Sequence, residues 1–229
     1  MLYALGNPLA LVVLVLSFVA AIILQGVAQA LVAARLGQRG PAQEGRLRSD
    51  PRRHLDAFGA IAAGLAGTGW GRPISLGPRT GRARLAAIQL AGPLALVAGG
   101  VALLVAAGAA DPAYRLGPGE LSAAIHGGFR FTSPLPATLL TAGAVMLGVG
   151  LLGLVPIPPL PGGAVLFAYA PRGGGWARAR YYLQEQHWGV GALLLLLLLP
   201  LAGRAPLLLV VVEALASLLL GLLPGAVSA

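Results

Sequence analysis

The sequence predicts an all-α integral membrane protein, a multi-span helical bundle, and three observations carry that prediction. Of its 229 residues, 57% are hydrophobic and only 10% are charged, with a mean hydropathy of +0.83. A soluble domain needs a polar shell that such a balance cannot supply. The second observation is a series of long uncharged runs. They are Leu9 to Leu24, Leu85 to Ala110, Leu135 to Leu154, Val190 to Ala202 with seven consecutive leucines, and Ala205 to Val227, interrupted only by Glu213. About 20 helical residues cross a bilayer, so these runs with their flanks predict five spans in a single membrane domain over 1–229. The third observation is that sixteen arginines and no lysine sit between the runs rather than within them.

Taken in order, Leu9 to Leu24 reads as the first span, with Ser17 its one hydroxyl. Ala28-Gln29-Ala30 mimics a signal cleavage site, but no positive charge precedes the run and it is long for a cleaved signal. The helix is therefore expected to be retained. Arg35, Arg39, Arg46, Arg48, Arg52 and Arg53 follow it, while Arg72, Arg79, Arg82 and Arg84 precede a second span near 85–109. Arg172, Arg178 and Arg180 fall between the third and fourth runs. Placing these thirteen in the cytoplasm leaves only Arg115, Arg130 and Arg204 outside, as the positive-inside rule asks. The N-terminus is then outside and the basic loops cytoplasmic.

Residues 58–69 are apolar, lie between two basic clusters on the same side and are too short to cross. They predict a re-entrant or hairpin segment buried in protein, or else an interfacial helix. The loop 111–133, rich in Gly and Pro, is expected to be external and irregular. A third span near 136–155 ends in a proline cluster. Residues 188–227, opened by Trp188 as an interfacial anchor, predict a C-terminal helical hairpin. A lysine-free chain rich in Ala, Gly, Leu and Arg resembles the product of a GC-rich bacterial genome, which would place it in a bacterial inner membrane.

Several chemistries are excluded or unsupported. With no cysteine there is no disulfide, thiolate ligand or cysteine nucleophile. The net charge of +9 comes without the basic and aromatic interleaving of a nucleic-acid surface, so no nucleic-acid partner is expected. No Gly-x-Ser-x-Gly elbow occurs.

Gln25 and Gln29 stand four apart, on one helix face. Alone, such a pair reads as interhelical hydrogen bonding. The context adds more. Gln25-Gly26-Val27-Ala28-Gln29-Ala30-Leu31-Val32-Ala33-Ala34-Arg35-Leu36-Gly37 is followed by Gly45-Arg46-Leu47-Arg48-Ser49-Asp50-Pro51-Arg52-Arg53-His54-Leu55-Asp56. Then come Gly71-Arg72-Pro73-Ile74, Ala91-Gly92-Pro93 and Leu154-Val155-Pro156-Ile157-Pro158-Pro159-Leu160-Pro161-Gly162-Gly163. In this order, over about residues 10–170, these stretches resemble the site-2 protease family of intramembrane zinc metalloproteases. That family's first motif reads His-Glu-x-x-His and its last Leu-Leu-Pro-Ile-Pro-Pro-Leu-Asp-Gly-Gly.

The resemblance implies a site-2-protease-like core with zinc-ligand positions at Gln25, Gln29 and Pro161 and the general-base position at Gly26. In the family motif, two imidazoles on one face hold zinc and the glutamate serves as base. A carboxamide is a weak donor to zinc, a glycine takes no proton, and proline offers no donor. Leu96 and Gly153 also stand where the family commonly has asparagines. The expectation is a catalytically inactive homologue, a pseudoprotease without metal or other cofactor. It would bind or scaffold another membrane protein or transmembrane segment in the lipid bilayer, as a subunit of a membrane complex.

Two alternatives remain. One is an active metalloprotease with an atypical site. The other is a small transporter or proton-conducting subunit using Glu213, the one carboxylate expected at membrane depth. Gln25, Gln29 and Glu213 are the expected helix–helix or client contacts. His54 and Asp56 read as a structural polar pair at the entry to 58–69.

Overall fold

The computed structural model describes residues 4, 6–77, 80–117, 119–126, 133–200 and 205–222. Arg79, Arg130 and Arg204, which entered the topology argument, lie outside the described residues, as do 223–227 of the expected hairpin. The described residues are mostly helical, with α1 (Pro8–Arg35), the short turns α2 (Gly40–Gln43) and α3 (Pro51–His54), α4 (Ala57–Ala66) and α5 (Arg82–Ala110). There follow α6 (Leu121–Ile125), α7 (Pro134–Leu154), α8 (Pro161–Tyr169), α9 (Gly175–Arg180), α10 (Trp188–Leu198) and α11 (Leu207–Gly221). The all-α membrane bundle expected from composition is the fold observed.

The ends of α1 show why the sequence starts and stops there. The Asn7 side chain accepts from the Ala10 N–H at 3.2 Å, and Pro8 takes the first helical position, where its missing N–H costs nothing. At the other end Gly37 turns left-handed with φ +80°. Its N–H donates to Ala34 O at 3.1 Å while the Gln38 N–H donates to Ala33 O at 2.8 Å. This is the paired closure that a glycine just past a helix permits. Between the caps, Ala10, Leu14, Ser17, Phe18, Ala21, Ile22, Gln25, Gly26 and Gln29 form one buried stripe, and the leucines and valines of the opposite face are exposed.

Helices α1, α5 and α7, with 28, 29 and 21 residues, are long and apolar enough to cross a membrane. The central one is α7, with 72% of its span buried against 33% for α5. A Cβ built on Gly100 would lie 2.8 Å from the Gly143 carbonyl oxygen, and one on Gly143 would lie 2.9 Å from that of Gly100. The backbones of α5 and α7 therefore touch, as small residues allow between membrane helices.

Two expectations are corrected. Helices α10 and α11 have 11 and 15 residues, about 16 and 22 Å of helix against a hydrocarbon core of about 30 Å. Among the described residues there are three full spans and a shorter apolar pair, not five full spans. The apolar run after Trp188 is cut by Pro200, which cannot continue a helix. Pro200 pairs with Pro206 in an antiparallel bridge, which turns α10 back into α11. The loop after α5 is also more ordered than expected, since it holds a turn of 3-10 helix (Pro112–Tyr114) and α6. Residues 127–132 of that loop lie outside the described residues.

Residues 58–69 form the expected hairpin. Asp56 caps α4 by accepting from the Gly59 N–H at 2.9 Å, and Gly67 ends it with φ +79°. Leu55 and Gly71 then pair in an antiparallel bridge, and the Arg72 N–H donates to His54 O at 2.7 Å. Ten helical residues rise about 15 Å, a distance that four or five extended residues retrace. The segment leaves and returns at one point.

Candidate functional site

The buried stripe of α1 turns Gln25, Gly26 and Gln29 toward the bundle interior. Gln29 is engaged by α5, its Nε2 donating to Gln89 O at 2.9 Å and lying 3.4 Å from Gln89 Oε1. Gln25 packs against Gly92, where an added Cβ would stand 2.6 Å from Gln25 Cγ and 2.7 Å from its carbonyl oxygen. The Ala-Gly-Pro stretch of α5 is thus a point of close approach between α1 and α5. Gln25 Oε1 is buried without a hydrogen-bond partner among the described residues.

Gly26 meets His54. A Cβ placed on Gly26 would overlap Nδ1 of the imidazole and lie 2.8 Å from its Cε1. His54 is buried, 1% exposed, and its Nε2 lies 3.0 Å from Arg48 O. A carbonyl only accepts, so Nε2 carries the proton and Nδ1 faces Gly26 with no hydrogen-bond partner. Burial pushes the His54 pKa below the ordinary histidine value, outweighing the opposing effect of the Arg48 carbonyl. The ring is therefore neutral at pH 7.

His54 and Asp56 take separate partners, the Arg48 carbonyl and the Gly59 N–H, and together fasten both sides of the entry to α4. Pro161 is buried at the first position of α8. Leu96 is fully buried, and a Cβ on Gly153 would touch Pro93 at 3.0 Å and lie 3.9 Å from Gln25 Nε2.

Gln25, Gln29 and Pro161 stand at the positions that the family resemblance gives to zinc ligands. The donors are two neutral carboxamides, one of them spent on α5, beside a glycine and a proline, whereas zinc takes imidazole, thiolate or carboxylate. Among the described residues no group of three or more His, Asp or Glu converges as metal ligands do. His126 is far along the chain, with Nδ1 donating to Ser122 O at 2.6 Å, and His187 opens α10 in a left-handed conformation, φ 59°.

Glu213 projects from α11 onto α6. Its carboxylate accepts from the Leu121 N–H at 3.1 Å and the Ser122 N–H at 2.7 Å, and Ser217 Oγ accepts from the Gly119 N–H at 3.1 Å. Hydrogen bonds to charged groups are worth about 1.5–3 kcal/mol. Glu213→Ala should lower the thermal midpoint in detergent accordingly, and Glu213→Gln, which keeps an acceptor oxygen, should lose less. Equal midpoints for wild type and Glu213→Ala would remove the capping role.

Sequence reasoning missed Arg46, which it treated only as one of a basic cluster. The side chain is buried, with its guanidinium donating to Arg72 O at 3.2 Å and Pro73 O at 2.8 Å. A long cationic side chain kept directly after Gly45, in the most motif-like part of the loop, was the available signal.

Three apolar spans with α7 at their centre, and Gln25 and Gln29 turned inward on the first, define a helical integral membrane protein. Over 196 residues the chain is 31% identical to the Bacillus subtilis (strain 168) protein named "Putative zinc metalloprotease YwhC", a match covering 83% of this chain and 82% of that one. The chain belongs to the same family, that of site-2-protease-like membrane zinc metalloproteases. No family model matches it, and no solved structure does so significantly.

Proposed function

We propose that this chain is a pseudoprotease: it keeps the scaffold of its family, does not cleave, and holds a transmembrane partner in the bilayer. One observation supports this most strongly. The place of the general base is taken by Gly26, and the space beside it is filled by a neutral, buried His54. A glycine there cannot activate water, and the neighbouring Gln29 amide is committed to α5. The exposed apolar faces of α4 (Phe58, Ile61 and Leu65) and α11 (Leu207, Val210 and Leu218) give a client helix surface to pack on.

A second reading, a metalloprotease with an atypical ligand set, draws on the relative's name and on the unpartnered Nδ1 of His54. One experiment separates the two. The protein is purified in mild detergent without chelator, its zinc content is measured, and it is incubated with a membrane-embedded substrate of a family protease. The expected outcome is far less than one zinc per chain, no cleavage with or without added zinc, and a stoichiometric membrane protein that copurifies. Stoichiometric zinc with chelator-sensitive cleavage would overturn the proposal, and a clean monomer would remove its scaffolding half.

A further inference from the structure

At the base of α4 the chain builds a cavity of about 600 Å³ around Arg46, Arg52, Arg53, Arg72, Ser75 and Glu44. Four guanidinium groups share it with one carboxylate, and that carboxylate lies 3.8 Å from Arg46 Nε. Arg53 is tied to Asp50 Oδ2 at 3.4 Å and donates to Glu44 O at 2.6 Å. No carboxylate lies within ion-pair distance of Arg52 or Arg72 among the described residues. Burial is the main cause that lowers the Arg46 pKa; Glu44 opposes it, and the weaker effect of the Arg72 charge adds to it.

This basic cavity does not end at a polar surface. Arg72 and Pro73 also line a second cavity of about 550 Å³, which continues between α4 and α10 along Phe58, Pro159, Val190 and Leu194. Its one carboxylate, Asp56, is already capping α4. Phe58 is 53% exposed at its edge. A cationic chamber and an apolar groove thus meet at Arg72, beside a helix hairpin that leaves and returns at one end of the bundle. A phosphate matches the forked donors of several arginines, and an acyl chain matches the groove. Basic pockets beside membrane helices take anionic headgroups in this manner. Inorganic phosphate or an acidic peptide would leave the groove empty.

We propose that this pair of cavities binds an anionic phospholipid, its phosphate among Arg46, Arg52 and Arg72 and one acyl chain between α4 and α10. The site goes beyond the pseudoprotease reading and stands whether or not the chain cleaves anything.

The test is native mass spectrometry of the full chain released from nanodiscs of equal parts phosphatidylglycerol and phosphatidylcholine. The wild type should retain one phosphatidylglycerol per chain in clear excess over phosphatidylcholine. Arg52→Gln/Arg72→Gln should lose that retention at least fivefold, while Arg82→Gln/Arg84→Gln, with an equal charge change elsewhere, should not. Arg52 and Arg72 are exposed side chains, so the double variant is expected to fold, and a wild-type thermal midpoint checks this. Leu194→Trp, which fills the groove, should reduce retention with all arginines intact. Equal retention of the two lipids, unchanged retention in the double arginine variant, or full displacement of the lipid by millimolar inorganic phosphate would each overturn the proposal, the last in favour of a free-phosphate site.

Discussion

Gly26→Ala is expected to destabilise the purified protein by about 1–3 kcal/mol, the usual cost of forcing one extra carbon into a packed interior. Alanine normally improves a helix by roughly 0.8–1 kcal/mol over glycine, so the sign alone is diagnostic. The cause is His54, whose Nδ1 occupies the position of the new methyl group and whose Cε1 would stand 2.8 Å from it. The ring cannot easily step back, because its far nitrogen is held 3.0 Å from the Arg48 carbonyl. The double variant Gly26→Ala/His54→Ala should therefore lose less than the two single losses combined, by at least about 1 kcal/mol of coupling. Thermal midpoints in one detergent measure this cycle. Strictly additive losses would mean that the contact does not hold the two elements together.

The second large effect is Gly59→Ala. A Cβ at 59 would overlap the Trp70 carbonyl oxygen and lie 2.8 Å from its carbonyl carbon, and a Cβ at 69 would equally overlap the Gly59 carbonyl oxygen. Both obstacles are backbone, so relief requires opening the hairpin instead of rotating a side chain. A loss of about 3 kcal/mol, at the upper end for overpacking, is expected. It should come with faster hydrogen exchange over 57–71, because Leu55 and Gly71 can no longer pair. Gly64 on the same helix supplies the control. An added Cβ there meets nothing within 4 Å, so Gly64→Ala should be neutral or slightly stabilising. If both variants melt alike, the tight return at Trp70 is not what closes the segment.

The contrast between these glycines shows what the sequence could and could not reveal. Spans α1, α5 and α7 were legible because twenty apolar residues without charge have few other uses. The shared helix face of Gln25 and Gln29 followed from their spacing, and the basic clusters that flank 58–69 on one side left a returning segment or an interfacial helix as its two readings.

What stayed hidden depends on residues distant in the chain. Nothing local to Gly26 announces an imidazole 28 positions later, and nothing near Gly59 separates it from Gly64 until Trp70 is placed. Glu213 was legible as a carboxylate at membrane depth and an expected helix contact, but its partners, two backbone N–H groups of α6, carry no sequence signature. The shortness of α10 stayed hidden for a simpler reason. Hydropathy counts leucines, whereas helix length is set by where Pro200 stops the backbone.

The meeting of Gly26 and His54 also constrains the order in which this sequence can change. A residue with any side chain at 26, whether alanine or the glutamate its family commonly carries there, fits only after position 54 has shrunk or swung away. Position 54 in turn cannot shrink without releasing the Arg48 carbonyl and loosening the stretch that leads into α4. Substitutions at the two sites are therefore conditional on each other.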